Sequence, residues 1–132
     1  MSRPPTLELT LPVSRVQLVL DTGGFRPTYR FLGAPELAWA SSPIVLDSDL
    51  LLGARQGGEG RRGWSIAWGA LPRGRRATAV EVVFTRGRRL RGEQSVRVDA
   101  TPVGEVMWVA EVAGEFTVVA ASAGGVAERR DV

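Results

Sequence analysis

Hydrophobic and polar positions alternate along most of this chain. Leu7, Leu9 and Leu11 alternate with Thr6, Glu8 and Thr10, and Val16, Leu18 and Leu20 alternate with Arg15, Gln17 and Val19. A period of two predicts a strand in each case. Pro12 ends the first, and the polar run Asp21-Thr22-Gly23-Gly24 turns the second. Shorter strands are predicted at Tyr29 to Leu32, Pro35 to Trp39, Pro43 to Leu46 and Leu50 to Leu52. Gly53 to Gly63 holds five glycines in eleven residues and predicts a flexible loop. Trp64, Ile66 and Trp68 then share one strand face, as do Val80, Val82 and Phe84. Val96 and Val98 open another strand, which Thr101-Pro102-Val103-Gly104 turns, and Val126 to Arg129 adds a short last one.

The most apolar stretch is Val106 to Ala121. Two β-branched and aromatic runs flank Ala113-Gly114-Glu115, a gap whose length and glycine predict a β-hairpin. With Val112 opposite Phe116, one face carries Trp108, Ala110, Val112, Phe116, Val118 and Ala120 and reads as core. The opposite face carries Met107, Val109, Glu111, Thr117, Val119 and Ala121, more apolar than a freely solvated sheet face. Met107, Val109, Val119 and Ala121 are therefore candidate interface residues. Cover by the chain's own residues 34 to 43 is the alternative, and an intermolecular contact is preferred because Glu111 and Thr117 leave the face mixed.

No window shows an apolar stripe at helical spacing, and turn signals recur at short intervals. The expected fold class is all-β, an antiparallel β-sandwich of roughly eight or nine short strands. The 132 residues fit one domain, 1–132, with the flexible Gly-rich loop at 53–63.

Composition narrows the chemistry. The chain has no Cys and no His, which removes disulfides, thiolate nucleophiles, imidazole acid–base work and most zinc sites. All 17 basic residues are Arg, and Lys and Asn are absent, a bias that fits a GC-rich genome. The net charge is only +3. Its distribution is uneven: residues 61–91 hold nine Arg and one acid, for +8, and the rest holds eight Arg and thirteen acids, for −5. Arg61 and Arg62 fall on one loop and Arg86, Arg88, Arg89 and Arg91 on another, two strand crossings apart and so at one end of a sandwich. These basic loops allow a nucleic-acid or polyanion partner but do not favour one, because no Trp or Phe interleaves them as a stacking platform.

Four local patterns bear on function. Gly58-Glu59-Gly60-Arg61-Arg62-Gly63 spells G-x-G-x-x-G, but the element after it alternates like a strand where a dinucleotide site needs a helix. Asp47-x-Asp49 offers too few carboxylates for a tight Ca²⁺ site, and no metal or cofactor is expected. Trp64 and Trp68, on an alternating strand, read as core rather than as a sugar platform. Leu18-Val19-Leu20-Asp21-Thr22-Gly23 resembles the active-site motif of retroviral-type aspartic proteases. That resemblance implies a catalytic Asp21 sharing a proton with its mate across a homodimer axis.

A second resemblance spans residues 64–130. Ile66-Ala67-Trp68-Gly69-Ala70-Leu71-Pro72-Arg73-Gly74, Ala79-Val80-Glu81-Val82, Trp108 to Gly114 and Val118-Val119-Ala120-Ala121 resemble immunoglobulin-like or transthyretin-like sandwich domains of unknown function from GC-rich actinobacteria. The resemblance implies an immunoglobulin-like sandwich and a binding or assembly module. The expected function is thus a non-catalytic module with a protein partner, in a homo- or hetero-oligomer; the alternative is the homodimeric protease built on Asp21. No signal peptide and no membrane span are recognised, so a cytoplasmic location is the default and an extracytoplasmic one follows if the chain was trimmed.

Overall fold

The computed structural model describes residues 6–33, 44–45, 49–58, 60–71, 80–88 and 92–132. Among them the chain is all-β, with antiparallel strands in three four-stranded sheets stacked as a sandwich. The strands outnumber the eight or nine expected, because a third layer is present. Residues 34–43, the expected cover, lie outside the described residues.

The N-terminal sheet is a meander in the order β1-β2-β3-β4, of Thr6–Thr10, Gln17–Asp21, Thr28–Leu32 and Ile44–Val45. The middle sheet runs β5-β6-β10-β9: Gly53–Gly57, Trp64–Ala70, Met107–Ala113 and Thr101–Val103. The C-terminal sheet runs β12-β11-β7-β8: Val126–Asp131, Val118–Ala123, Glu81–Arg88 and Gly92–Asp99.

Side-chain alternation places the middle sheet between the other two. Trp64, Ile66, Trp68, Met107 and Val109 pack with Leu18, Leu20, Tyr29 and Phe31 of the N-terminal sheet. On the opposite face Ala67, Trp108 and Ala110 pack with Val82, Phe84, Val119 and Ala121 of the C-terminal sheet. Every residue of β6 is buried in consequence.

Each described tryptophan faces a glycine. Trp64 lies opposite Gly57, Trp68 opposite Gly53 and Trp108 opposite Gly69. A Cβ at Gly53 or Gly57 would collide with the facing indole, and one at Gly69 would collide with the Leu50 carbonyl. The missing side chains let the rings lie flat over the neighbouring strand, a cross-strand pairing of aromatic and glycine. The flexible loop expected at 53–63 is therefore corrected: its first five residues form β5, and Gly60–Arg62 form a short 3-10 turn.

The expected hairpin across Ala113-Gly114-Glu115 is also corrected. β10 pairs with β6 and β9, and β11 pairs with β7 and β12, so the segment between them crosses from one sheet to another. Phe116 is in the core as expected, its ring centroid 5.9 Å from that of Phe84, but the crossing reverses the parity after it: Val118 and Ala120, expected as core, are half-buried on the outer face, and Val119 and Ala121 are buried. Ser65, the buried polar side chain on β6, fixes the crossing. Its Oγ donates to the Gly114 carbonyl at 2.9 Å and accepts from the Phe116 N–H at 3.0 Å. The hairpin that does contain β10 is β9–β10. There Gly104 and Glu105 both take positive φ, 60° and 61°, as a tight hairpin turn requires.

Candidate functional site

Met107, Val109, Val119 and Ala121 are 0, 0, 0 and 1% exposed. The expectation that they form one outward face is corrected, because they belong to two sheets. Met107 and Val109 lie under the N-terminal sheet, and Val119 and Ala121 under the middle one. For Met107 and Val109 the N-terminal sheet occupies the place sequence reasoning assigned to a partner, and for Val119 and Ala121 the middle sheet does.

Of the basic residues, Arg61 and Arg62 are exposed on the 3-10 turn. Gly63 accepts the Gly114 N–H at 2.7 Å, and Arg86 Nη1 stands 3.5 Å from where a Gly114 Cβ would be. These contacts bring Arg61, Arg62 and Arg86 to one end of the molecule. Arg86 is not a free cation there: its Nε donates to Gln94 Oε1 at 2.8 Å, and its guanidinium carbon lies 4.9 Å from the Phe116 ring centre. It covers the end of the core. Arg88 ends β7, and Arg89 and Arg91 lie outside the described residues. Partial desolvation lowers the pKa of the Arg55 guanidinium on β5, which nonetheless stays charged at physiological pH.

Asp21 is exposed at the end of β2, where its Oδ1 accepts the Gly23 N–H at 2.9 Å. This is the geometry of an aspartate capping its own turn. With Thr6, Val19, Thr28, Tyr29 and Arg30 it lines a shallow depression of about 110 Å³ on the outer face of the N-terminal sheet. Asp49 serves through its backbone, accepting the Ala70 N–H at 2.9 Å, and Asp47 lies outside the described residues. No group of three metal-ligating side chains occurs among the described residues. The strand after Gly63 is β6, with Trp64 and Trp68 in the core. Trp68 Nε1 donates to Tyr29 Oη at 2.8 Å, and Trp108 Nε1 to the Leu50 carbonyl at 2.8 Å.

Two carboxylates are committed to joining layers. Glu111 accepts the N–H groups of Val13 and Ser14, at 2.7 and 3.0 Å, and so holds the β1–β2 turn to the middle sheet. Glu128, on β12, accepts the Leu51 N–H. All three are charge-assisted bonds to backbone N–H groups.

A further surface among the described residues is the outer face of the C-terminal sheet. Alternation turns Glu81, Val83 and Thr85 of β7, Val118, Ala120 and Ser122 of β11, Ser95, Arg97 and Asp99 of β8, and Ala127, Arg129 and Asp131 of β12 away from the core. Its centre is small and flat: Val83, Thr85, Val118, Ala120 and Ser122 are half-buried by one another. Its margin is charged, with Arg97 and Glu81 paired at 3.3 Å. An open groove of about 320 Å³ runs along the Gly124–Gly125 turn beside Ser122, Val126 and Ala127. Sequence reasoning assigned Val118 and Ala120 of this face to the core and so did not find it. The small, mixed residues alternating with Val82, Phe84, Val119 and Ala121 were its only signal. No helix among the described residues is long and apolar enough to cross a membrane. Compared with protein families, curated proteins and solved structures, the chain finds no match in any of the three.

Proposed function

We propose that this protein is a non-catalytic β-sandwich binding or assembly module that meets a protein partner through its C-terminal sheet. The observation that carries this reading is the flat, small-residue centre of that sheet's outer face, ringed by charges of both signs. An apolar or mixed centre with a polar rim is the general anatomy of a non-obligate protein interface. The hydrogen-bonding carboxylates Glu111 and Glu128 support it in another way, since both are spent on holding layers together. The immunoglobulin-like or transthyretin-like resemblance over residues 64–130 falls on the middle and C-terminal sheets and suits the same role.

Site-specific photocrosslinking tests it. A photoreactive residue at Ala120, in the centre of the face, is expected to capture a defined protein partner in the native cell extract. The same probe at Glu8, on the outer face of the N-terminal sheet, is expected to capture none. Equal or absent capture at both positions overturns the reading. Peptide-bond cleavage by the wild type that Asp21→Asn abolishes also overturns it, in favour of the protease.

A further inference from the structure

β8, Gly92–Asp99, is an edge strand of the C-terminal sheet and has β7 as its one neighbour among the described residues. Its eight residues pair with Arg88 to Glu81 in unbroken register, without bulge or proline. The backbone groups of its other edge are therefore presented in line over about 27 Å at ~3.4 Å per residue. Edge strands of this length are normally blunted by bulges, proline or inward-pointing charge, because they template further pairing. The other described edges are shorter, at six residues or fewer against the eight of β8. β9 is three residues long and contains Pro102, which has no N–H to donate. β12 has Arg129 at its centre, beside a Glu128 already bonded to Leu51.

We propose that β8 is a self-complementary docking edge, at which a second copy of this chain pairs antiparallel and continues the C-terminal sheet. A two-fold axis perpendicular to the sheet keeps each side chain on its own face, so only residues of equal parity can oppose each other. Centring the axis on Ser95 sets Ser95 against Ser95 and Gln94 against Val96. It also sets Glu93 of each copy against Arg97 of the other on the outer face, where the exposed Arg97, 3.3 Å from Glu81 of its own chain, then stands between two carboxylates, so both cross-copy charge pairs are attractive. Moving the centre to Val96 opposes Glu93 and Asp99, and moving it to Arg97 opposes two arginines. Like charges directly opposite destabilise cross-strand pairs, and a centre on Gln94 sets Glu93 against Ser95 with no attractive pair within β8, so the charges select the first register. Val96 and Val98, half-buried at the rim of the core, gain cover from the second copy. A single added strand buries less than the ~1,200 Å² of a stable interface, so the dimer is reversible and micromolar.

This inference rests on the C-terminal sheet being the contact layer, and its test separates the two. Sedimentation equilibrium across the micromolar range is run on the wild type, Glu93→Arg, Arg97→Glu and the double reversal, with melting temperatures recorded beside it. The wild type is expected to dimerise. Each single reversal is expected to weaken the dimer by roughly 5-fold or more, and the double reversal to return it to within about 2-fold. Both sites are exposed, and the four proteins are expected to melt within a few degrees of one another. A wild type that stays monomeric overturns the inference. So does a dimer that ignores the single reversals, or a double reversal that fails to restore it. Capture of a different protein at Ala120 alongside a monomeric wild type leaves the sheet a contact layer and removes only the self-pairing.

Discussion

The middle and C-terminal sheets are built from the same residue types with different consequences. β6 and β10 alternate large and small apolar residues and are buried on both faces, so neither face can change without disturbing a neighbouring layer. β7 and β11 are buried on one face, through Val82, Phe84, Val119 and Ala121, while Val83, Thr85, Val118, Ala120 and Ser122 on the other stay half-buried. Small apolar and polar residues mixed at the outward positions are what an open face carries, and near-continuous apolar character marks a sheet with layers on both sides. The middle sheet carries stability, and the C-terminal sheet is free to carry contacts.

The comparison can be broken most severely at the middle sheet. Val109→Glu places a carboxylate in the apolar cluster between β10 and the N-terminal sheet. It is expected to cost about 4 kcal/mol or more, enough to leave the chain unfolded by circular dichroism. If Val109→Glu folds normally and instead shifts the oligomeric state, the buried assignment fails. Gly69→Ala adds one methyl where the Leu50 carbonyl and the Trp108 indole already meet. Roughly 2–4 kcal/mol of lost stability is expected, read from the urea midpoint. Ser65→Ala removes both hydrogen bonds at the crossing and strands the Phe116 N–H, for about 1–3 kcal/mol.

Smaller effects sharpen the other side. Arg86→Ala loses the cover over Phe116 and the Gln94 bond and is expected to lower stability by about 1 kcal/mol. Ala120→Glu, on the open face, is expected to change the unfolding midpoint by no more than ~0.5 kcal/mol while abolishing any contact made there. A loss comparable to that of Ser65→Ala would mean the outer face is covered.

Strand existence was legible wherever the alternation ran clean. Leu7 to Thr10, Gln17 to Leu20, Tyr29 to Leu32, Trp64 to Trp68 and Glu81 to Thr85 all fall in strands. Pairing was not legible, because a short glycine-containing gap serves a hairpin and a sheet-to-sheet crossing equally well. What decides between them is where Phe116 goes and whether Ser65 waits to hold it, and both are tertiary facts. β5 was missed because glycine reads as loop. A signal for it was nevertheless present: Gly53 and Gly57 are four residues apart, as are Trp64 and Trp68, and antiparallel pairing lays one pair on the other. The interface expectation went astray for a related reason. Apolar residues on both faces of a strand announce a second covering layer, and the alternation alone does not say whether it belongs to another chain. The open face of the C-terminal sheet left almost no sequence signal, since small mixed residues are what any solvated strand shows.

The hydrogen bond between Trp68 and Tyr29 has a spectroscopic consequence. Tyr29 is the only tyrosine in the chain, and its ring centre lies 6.4 Å from that of Trp68 across the boundary between the N-terminal and middle sheets. At such proximity light absorbed by the phenol is handed to the indole, so the folded protein emits as tryptophan alone. Tyrosine emission returns only when the first layer lifts off the second. The chain thus carries an intrinsic optical gauge of that one boundary, and a denaturant titration followed at the tyrosine band would show whether the meander peels away before the remaining sandwich melts.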